Sequence, residues 1–529
     1  MTLLDWASAA QGLGLWGLMA LPLLVVAAAQ WRSAWPLAQW AGALGLLLAL
    51  ALWLAALKAP LASGVLKLGF VQASLLVLVS FLGWLIYRYG ASNFQGDPDG
   101  PRFLRGLAGV LLAVSSLLLA DHLVLFWAAW VAVSISLHQL LLFYPDRPRA
   151  RLAAHKKFLI ARSAEGLLAL AIGLLYSQSG SLSLSANMAL LGAGELSWPQ
   201  QLAAVCLALV ALLKCAQLPL HGWLIQVVEA PTPVSALLHA GVINLGGVLL
   251  LLFAPLLSQA PLAQWLLLLV AAPSAVLAAL IMTTRISQKV RLAWSTCAQM
   301  GLMLVECALG LYELALLHLI AHSCYKARAF LAAGSAVNEQ HLQQLSAALG
   351  CPMLPQLRHW LGATALVLPL LAAAAVLMAQ FWLQAPGSQV PWLLLGLAFI
   401  TWAAQQLAQP AASGWARVAL WVSAAASLLG LMAVYLGLKT ALAEALPITH
   451  GPYSLAADLW VGSWLVVLAI VSYSLQRWPL QPQLRRAWIA LNGGLYLDEW
   501  MSRLTLRLWP LSLGGQSPTP LLLTPKVQS

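Results

Sequence analysis

The side chains able to do chemistry in this 529-residue chain are ionisable groups set into apolar runs. Lys214 sits inside one such run, and Pro219, His221, Glu229 and His239 follow it. A charge at membrane depth is expensive, so one that persists there is a functional candidate. Burial narrows the gap between the charged and neutral forms of a lysine, which suits a proton-carrying switch. The competing reading is a lysine snorkelling from a helix end; Pro219 and His221 beside it favour the switch. Pro219 is expected to break its helix, freeing carbonyls and leaving room for water. Pro231 and Pro233 open the next helix, which carries His239 and then Asn244. A lone buried histidine is more often a satisfied core residue than a relay. The company of Lys214, His221 and Glu229 tips His239 toward the relay.

A second group is His318, His322 and Lys326, spaced four and four. That spacing stacks all three on one helix face, as a proton path needs. Glu306 and Glu313 precede the stripe and can exchange protons with it. Two histidines one turn apart can also hold a metal. No Cys, Asp or Glu follows them at a suitable spacing, so no metal site is expected. Glu165, beside Arg162, is either half of a structural ion pair or the carboxylate partner of Lys214. There is no phosphate-binding glycine loop, nucleophile elbow or nucleotide fingerprint. The chain is therefore expected to be no enzyme on its own and to hold no cofactor.

The elements that must position these groups are membrane helices. Hydrophobic residues make up 62% of the chain and charged ones only 8%, against about a quarter in a soluble domain. That balance excludes a soluble enzyme, a disordered chain and a nucleic-acid binder. The net charge of +12 fits basic residues held on the inner face of a membrane, and no basic run is interleaved with aromatics. The Leu- and Ala-rich runs lack period-two alternation, which argues against a β-barrel. Apolar windows predict about 15 spans, at 12–30, 36–57, 66–87, 104–120, 122–144, 158–178, 202–219, 232–254, 261–283, 290–310, 312–335, 360–384, 390–409, 416–443 and 456–476. The six cysteines form no C-x-x-C and read as small buried hydrophobes. Asp5 with no basic region before the first apolar run suggests a retained helix rather than a signal peptide.

Charge placement orients the chain. With the N-terminus outside, Arg32, Arg102, Arg105, Arg285, Lys289, Arg358 and Arg477 fall inside. So does the cluster Arg147, Arg149, Arg151, Lys156 and Lys157. The expected setting is a bacterial inner membrane crossed many times, with a cytoplasmic C-terminus. From Gln483 the pattern turns amphipathic: Arg485, Arg486, Asp498, Glu499, Arg503 and Arg507 alternate with Trp488, Tyr496 and Trp500. Such a helix lies on the lipid bilayer surface or docks a cytoplasmic partner.

The segment Lys214 to Gly247, and the run His318-Leu-Ile-Ala-His322-Ser-Cys-Tyr-Lys326 with Phe330-Leu-Ala-Ala-Gly-Ser335, resemble the antiporter-like proton-translocating subunits of respiratory complex I, Mrp antiporters and membrane hydrogenases. The resemblance covers roughly residues 105–385. It implies an all-α polytopic fold with two inverted five-helix repeats, each with a broken helix. The implied organisation is N-terminal helices over 1–103, a first repeat over 104–254 and a second over 255–410. C-terminal helices over 411–482 and a cytoplasmic amphipathic tail over 483–529 complete it. Pro369 would break the second repeat's helix as Pro219 breaks the first's.

The departures point to one branch. Where the family's pumps carry a glutamate after a tryptophan, Trp130 is followed by Val131. Where they carry a lysine after the second proline stands Met378, and no long lateral helix follows. The phrase Glu229-Ala-Pro-Thr-Pro-Val-Ser-Ala-Leu-Leu-His-Ala-Gly and the tail Gly494-Leu-Tyr-Leu-Asp-Glu-Trp-Met-Ser-Arg are similar to the DabB-type membrane subunits of inorganic-carbon accumulation complexes. That branch implies a DabA-like partner on the cytoplasmic side, bearing a carbonic-anhydrase-like zinc. Movement of protons or sodium through this chain would then drive CO2 hydration by the partner. A complex I-like pump subunit and a cation/proton antiporter subunit are the alternatives.

Overall fold

The computed structural model describes residues 3–31, 34–191, 195–335, 357–381, 388–408, 454–478 and 481–510, with scattered positions between 414 and 437. Long apolar runs form α1 (Leu3–Ala28) and α2 (Ala34–Ala56). A short hairpin of β1 (Leu61–Ser63) and β2 (Leu66–Leu68) leads into α3 (Phe70–Asn93), α4 (Gly100–Leu119), α5 (Leu123–Leu141) and α6 (Pro148–Ser179). The span expected from 66 therefore starts only at Phe70, because Leu66–Leu68 pair with Leu61–Ser63. Helix α6 begins ten residues before the expected 158. Pro148 fits the first turn, where a missing N–H costs nothing.

At one end of the bundle, α7 (Leu184–Ala189) is pinned to the α4–α5 turn by Asp121. Its carboxylate accepts from Ser183 Oγ at 2.6 Å, Ser185 Oγ at 3.0 Å and the Ser185 amide at 3.0 Å. Next, α8 (Trp198–Lys214) stops at Lys214, and Ala216 is left-handed with φ 50°. The chain restarts as α9 (Gly222–Gln226) and α10 (Thr232–Ala240). The single span expected over 232–254 is divided. Gly241 (φ −123°, ψ −79°) leaves helical geometry before α11 (Leu245–Leu252) and α12 (Ala254–Leu257).

The chain continues as α13 (Pro261–Thr283), α14 (Gln288–Ala308) and α15 (Tyr312–Leu331), then α16 (Leu357–Phe381), α17 (Val390–Ala408) and α18 (Leu455–Arg477). The tail forms α19 (Pro482–Asn492) and α20 (Leu497–Leu508). Among the described residues ten helices are long and apolar enough to cross a membrane, so this is a multi-pass membrane protein. The span expected at 416–443 lies largely outside the described residues.

The expected break at Pro369 is corrected: α16 runs through it without interruption. A proline removes one ladder hydrogen bond, but here an Ala/Leu run continues on both sides and α17 packs along it. Pro22 and Pro273 likewise sit inside continuous helices.

The breaks are held where helices approach closely. A Cβ at Gly246 would stand 2.8 Å from the Ala211 carbonyl oxygen and 2.5 Å from Cys215 Sγ. Overpacking such a contact costs about 1–3 kcal/mol, so Gly246→Ala is expected to lower the thermal midpoint of the detergent-purified protein by several degrees. Gly166, with nothing within 4 Å, is the control: Gly166→Ala is expected to leave the midpoint within a degree. Equal midpoints for both variants would refute the close approach of α11 to α8.

Candidate functional site

Lys214 is the last residue of α8, and its side chain is buried. Its Nζ lies over the Trp130 ring, 5.0 Å from the centroid. The aromatic face thus meets the ammonium one residue before the position where the family resemblance implies a carboxylate. A carboxylate still acts on Lys214 across space, and it is Glu165. The direct partner of Glu165 is Arg162, whose Nη2 donates to Oε1 at 2.7 Å. Of the two sequence readings of Glu165, the structure shows the ion pair with Arg162 and no direct contact with Lys214 among the described residues.

Lys157 belongs to the same group and was missed by the sequence reading. Its buried Nζ donates to the Ser134 carbonyl at 2.5 Å and to Ser134 Oγ at 3.2 Å. The signal was available. Pro148 marks the true start of α6, and from there Lys157, Ala161, Ala164 and Leu168 share one buried face with Glu165.

The break itself carries His221, which is buried against Trp294 with ring centroids 4.8 Å apart. Glu229 departs from the expected mid-membrane row. It sits at the rim, partly exposed, 4.0 Å from the exposed Arg149. The proline-rich turn that follows it leaves the helix core, so its carboxylate reaches water.

The second group lies between α10, α14 and α15. His239 stacks on Phe330 at 4.4 Å and faces Thr296 Oγ1 at 3.2 Å through Nδ1. Along α15 the four-residue spacing gives one face, as expected. His318 Nδ1 meets both oxygens of Glu306 at 3.0 Å, and its Nε2 meets Gln299 Oε1 at 2.8 Å. His322 follows with its ring 6.2 Å from that of His318. Lys326 closes the row, donating to the Leu292 carbonyl at 2.9 Å and Ser295 Oγ at 2.8 Å. Glu313 is buried in the first turn of α15. Gln299, Ser295 and Thr296 were not singled out in the sequence, since neutral polar residues give no charge signal inside an apolar run. Nε2 of His239 and of His322 are buried without a hydrogen-bond partner. Such atoms suit groups that exchange protons with transient water. Among the described residues no three His, Cys, Asp or Glu side chains converge as a metal set would.

The tail residues divide by face. Arg485, Arg486, Trp488, Tyr496, Glu499, Trp500, Arg503 and Arg507 are exposed, with Glu499 and Arg503 paired at 3.5 Å. Asp498 does not belong with them. It turns inward to the buried Lys156, because α20 packs its Met501 and Thr505 face on α6.

Residues 120–401 match the family model described as NADH:quinone oxidoreductase/Mrp antiporter, TM. The chain is 43% identical to the probable inorganic carbon transporter subunit DabB of Hydrogenovibrio crunogenus, over 88% of this chain and 86% of that one. It is 38% identical to subunit DabB2 of Halothiobacillus neapolitanus, over 83% of this chain and 79% of that one. Its fold is similar to a chain of the Mrp complex from Dietzia sp. DQ12-45-1b, with a TM-score of 0.62 and 24% identity, covering 94% of this chain and 60% of that one.

The Arg162–Glu165 pair gives a direct test of the first group. Arg162→Gln strands the buried Glu165 carboxylate. Losing one partner of a buried pair costs about 3–5 kcal/mol, reduced to about 1–3 kcal/mol here because the Arg162 side chain is partly solvent-exposed. Thermal midpoints are expected to fall for Arg162→Gln and to recover in large part in the double variant Arg162→Gln/Glu165→Gln. Strictly additive losses would show that the two side chains do not depend on each other.

Proposed function

This chain belongs to the NADH:quinone oxidoreductase/Mrp antiporter transmembrane family, and within it to the DabB-type subunits, and we propose that it is the membrane subunit of an energy-coupled inorganic-carbon uptake complex. In this reading protons, or sodium ions, run down their gradient through the buried row of Lys214, Glu165, His239, His318, His322 and Lys326. That movement energises one-way hydration of CO2 to bicarbonate on a DabA-like, zinc-containing partner at the cytoplasmic face. The zinc and the hydration chemistry belong to the partner; this chain supplies the coupling. The setting is a bacterial inner membrane, with the N-terminus outside and the tail in the cytoplasm.

One observation carries the reading: identity of 43% along 88% of the chain to a relative whose name is that of an inorganic carbon transporter subunit. The site supports it over a redox-pump module. Val131 and Met378 stand where the pumps of this family carry a glutamate and a lysine, so the row is interrupted relative to theirs.

The outward face of α20, with Tyr496, Glu499, Trp500, Arg503 and Arg507, is the docking surface assigned to the partner, with Arg485, Arg486 and Trp488 of α19 beside it. Aromatic and arginine side chains together are what interface hot spots use.

Lys214→Ala and His322→Ala are expected to cut labelled inorganic-carbon uptake more than tenfold while the chain remains in the membrane at wild-type level. Growth of both variants at limiting CO2 as fast as wild type would sink the path assignment. A mild-detergent pull-down is expected to bring one large zinc protein with the chain, and Trp500→Ala/Arg503→Ala to release it. Flavin and iron–sulfur subunits in its place would mean a respiratory module instead.

A further inference from the structure

The tail does more than offer a surface. Lys156 Nζ donates to Asp498 at 2.8 Å (Oδ1) and 2.7 Å (Oδ2), and to Ser502 Oγ at 2.6 Å. Gln226 Nε2, from the helix restarted after the break, donates to Oδ2 at 2.8 Å. The Lys156 side chain is wholly buried, while that of Asp498 keeps 28% of its exposure. One end of this pair reaches water and the other is sealed inside.

The carboxylate also touches the break. It lies so close to Gly222 that a Cβ there would overlap Asp498 Oδ1. Glycine at 222 is thus what makes room for the acid. The residue before it is His221, buried, with Nδ1 lacking a hydrogen-bond partner. The rest of the tail closes round this point. Gly494 packs against Arg285 and Trp294, and Trp509 stacks on His155 at 3.9 Å and 7°.

A clasp alone would not need these groups. Burying an ammonium costs about as much as its ion pair returns, and Met501, Thr505 and Trp509 already seat the helix. We propose that Asp498 is the water-facing end of this chain's own ion path, with Lys156 as its counter-charge and His221 as the next group inward. A proton from water bonds to the carboxylate, leaving Lys156 as an unpaired ammonium. It then passes to His221 Nδ1 through an intervening water, which takes up the carboxylic proton as it gives one of its own to the ring, and the carboxylate re-pairs with Lys156. Each step conserves charge and atoms. The inference rests on the path reading of Lys214 above and adds a segment to it that the chain itself folds back to supply.

The test uses the whole complex in native membranes, with Asp498→Asn, Asp498→Glu and Lys214→Ala compared for labelled inorganic-carbon uptake, amount in the membrane and co-purified partner. Asp498→Asn is expected to lose uptake at least tenfold with partner and membrane level unchanged, and Asp498→Glu to keep most of it. A clasp held by the Lys156 ion pair would likewise fail in Asp498→Asn and survive in Asp498→Glu, so the co-purified partner decides: its release by Asp498→Asn overturns the proposal, as does equal uptake by both variants. Lys214→Ala separates the levels. If it loses uptake while Asp498→Asn does not, this inference alone falls; if it keeps uptake, the path reading falls and takes this inference with it. Should Asp498→Asn reach the membrane poorly, Gly222→Ala displaces the carboxylate without removing it. Wild-type uptake in that variant overturns the proposal, and a tenfold loss supports it.

Discussion

A helix interrupted inside a bilayer must satisfy its own freed backbone, since lipid offers no hydrogen bonds. That constraint organises the centre of this molecule. Between Lys214 and Gly222 the peptide groups are taken up by local backbone bonds, by Gln217 of the break itself and by side chains from neighbouring elements. Gln217 Nε2 donates to the Cys215 carbonyl at 2.8 Å and the Cys297 carbonyl at 3.3 Å. Ser274 Oγ accepts from the Leu218 amide at 3.2 Å, and Cys297 Sγ donates to the Ala216 carbonyl at 3.1 Å. Two cysteines that read as small buried hydrophobes therefore act as weak donors: Cys215 Sγ also approaches the Ile243 carbonyl at 3.5 Å. The stitching draws on α13 and α14, so the break and the helices around it stand or fall together.

Ending α8 at Lys214 has an electrostatic consequence. The carbonyl end of a helix favours a cation, and the Trp130 ring adds a negative face beneath the ammonium. Those two fields do part of what a paired carboxylate does elsewhere, without fixing the charge as tightly. Glu165 is engaged by Arg162 and acts on Lys214 only from a distance. An ammonium held this way can lose and regain its proton without stranding a bare carboxylate beside it. The second group is built on a different plan: Glu306 grips His318 directly, and Lys326 rests on neutral oxygens. Beside these groups His221, His239 and His322 each keep one buried ring nitrogen without a hydrogen-bond partner.

Legibility followed the physical signal each residue leaves in the sequence. The stripe on α15 was visible because helical period alone puts His318, His322 and Lys326 on one face. The break at Pro219 was visible because Lys214 and His221 surround it in an apolar run. Pro369 misled because a proline is only half of a break. Pro219 stands within a stretch where Ala216 turns left-handed and Gly222 opens the next helix, whereas Pro369 sits in unbroken Ala and Leu. Lys156 and Lys157 were read as part of the basic cluster on the inner side because they precede the expected span at 158. Only the length of α6 puts them inside. Asp498 was grouped with its exposed neighbours because an amphipathic pattern reports a helix with two faces but not which partner each face meets.

That last point bears on how such a tail can serve two masters. On a helix the faces are separated by about 100° per residue, so Asp498 and Glu499, adjacent in sequence, point to different surroundings. Asp498, Met501, Ser502 and Thr505 face α6, while Glu499, Trp500, Arg503 and Arg507 face outward. A partner that grips the outer face thereby holds a helix whose inner face presses a carboxylate on the mouth of the break. Any rotation or lift of α20 would pull Asp498 from Lys156 and Gly222 at once, because both contacts converge on the same carboxylate. A connection of this kind needs no long-range wire through the protein. It needs one rigid helix with a charged residue on one side and a binding surface on the other.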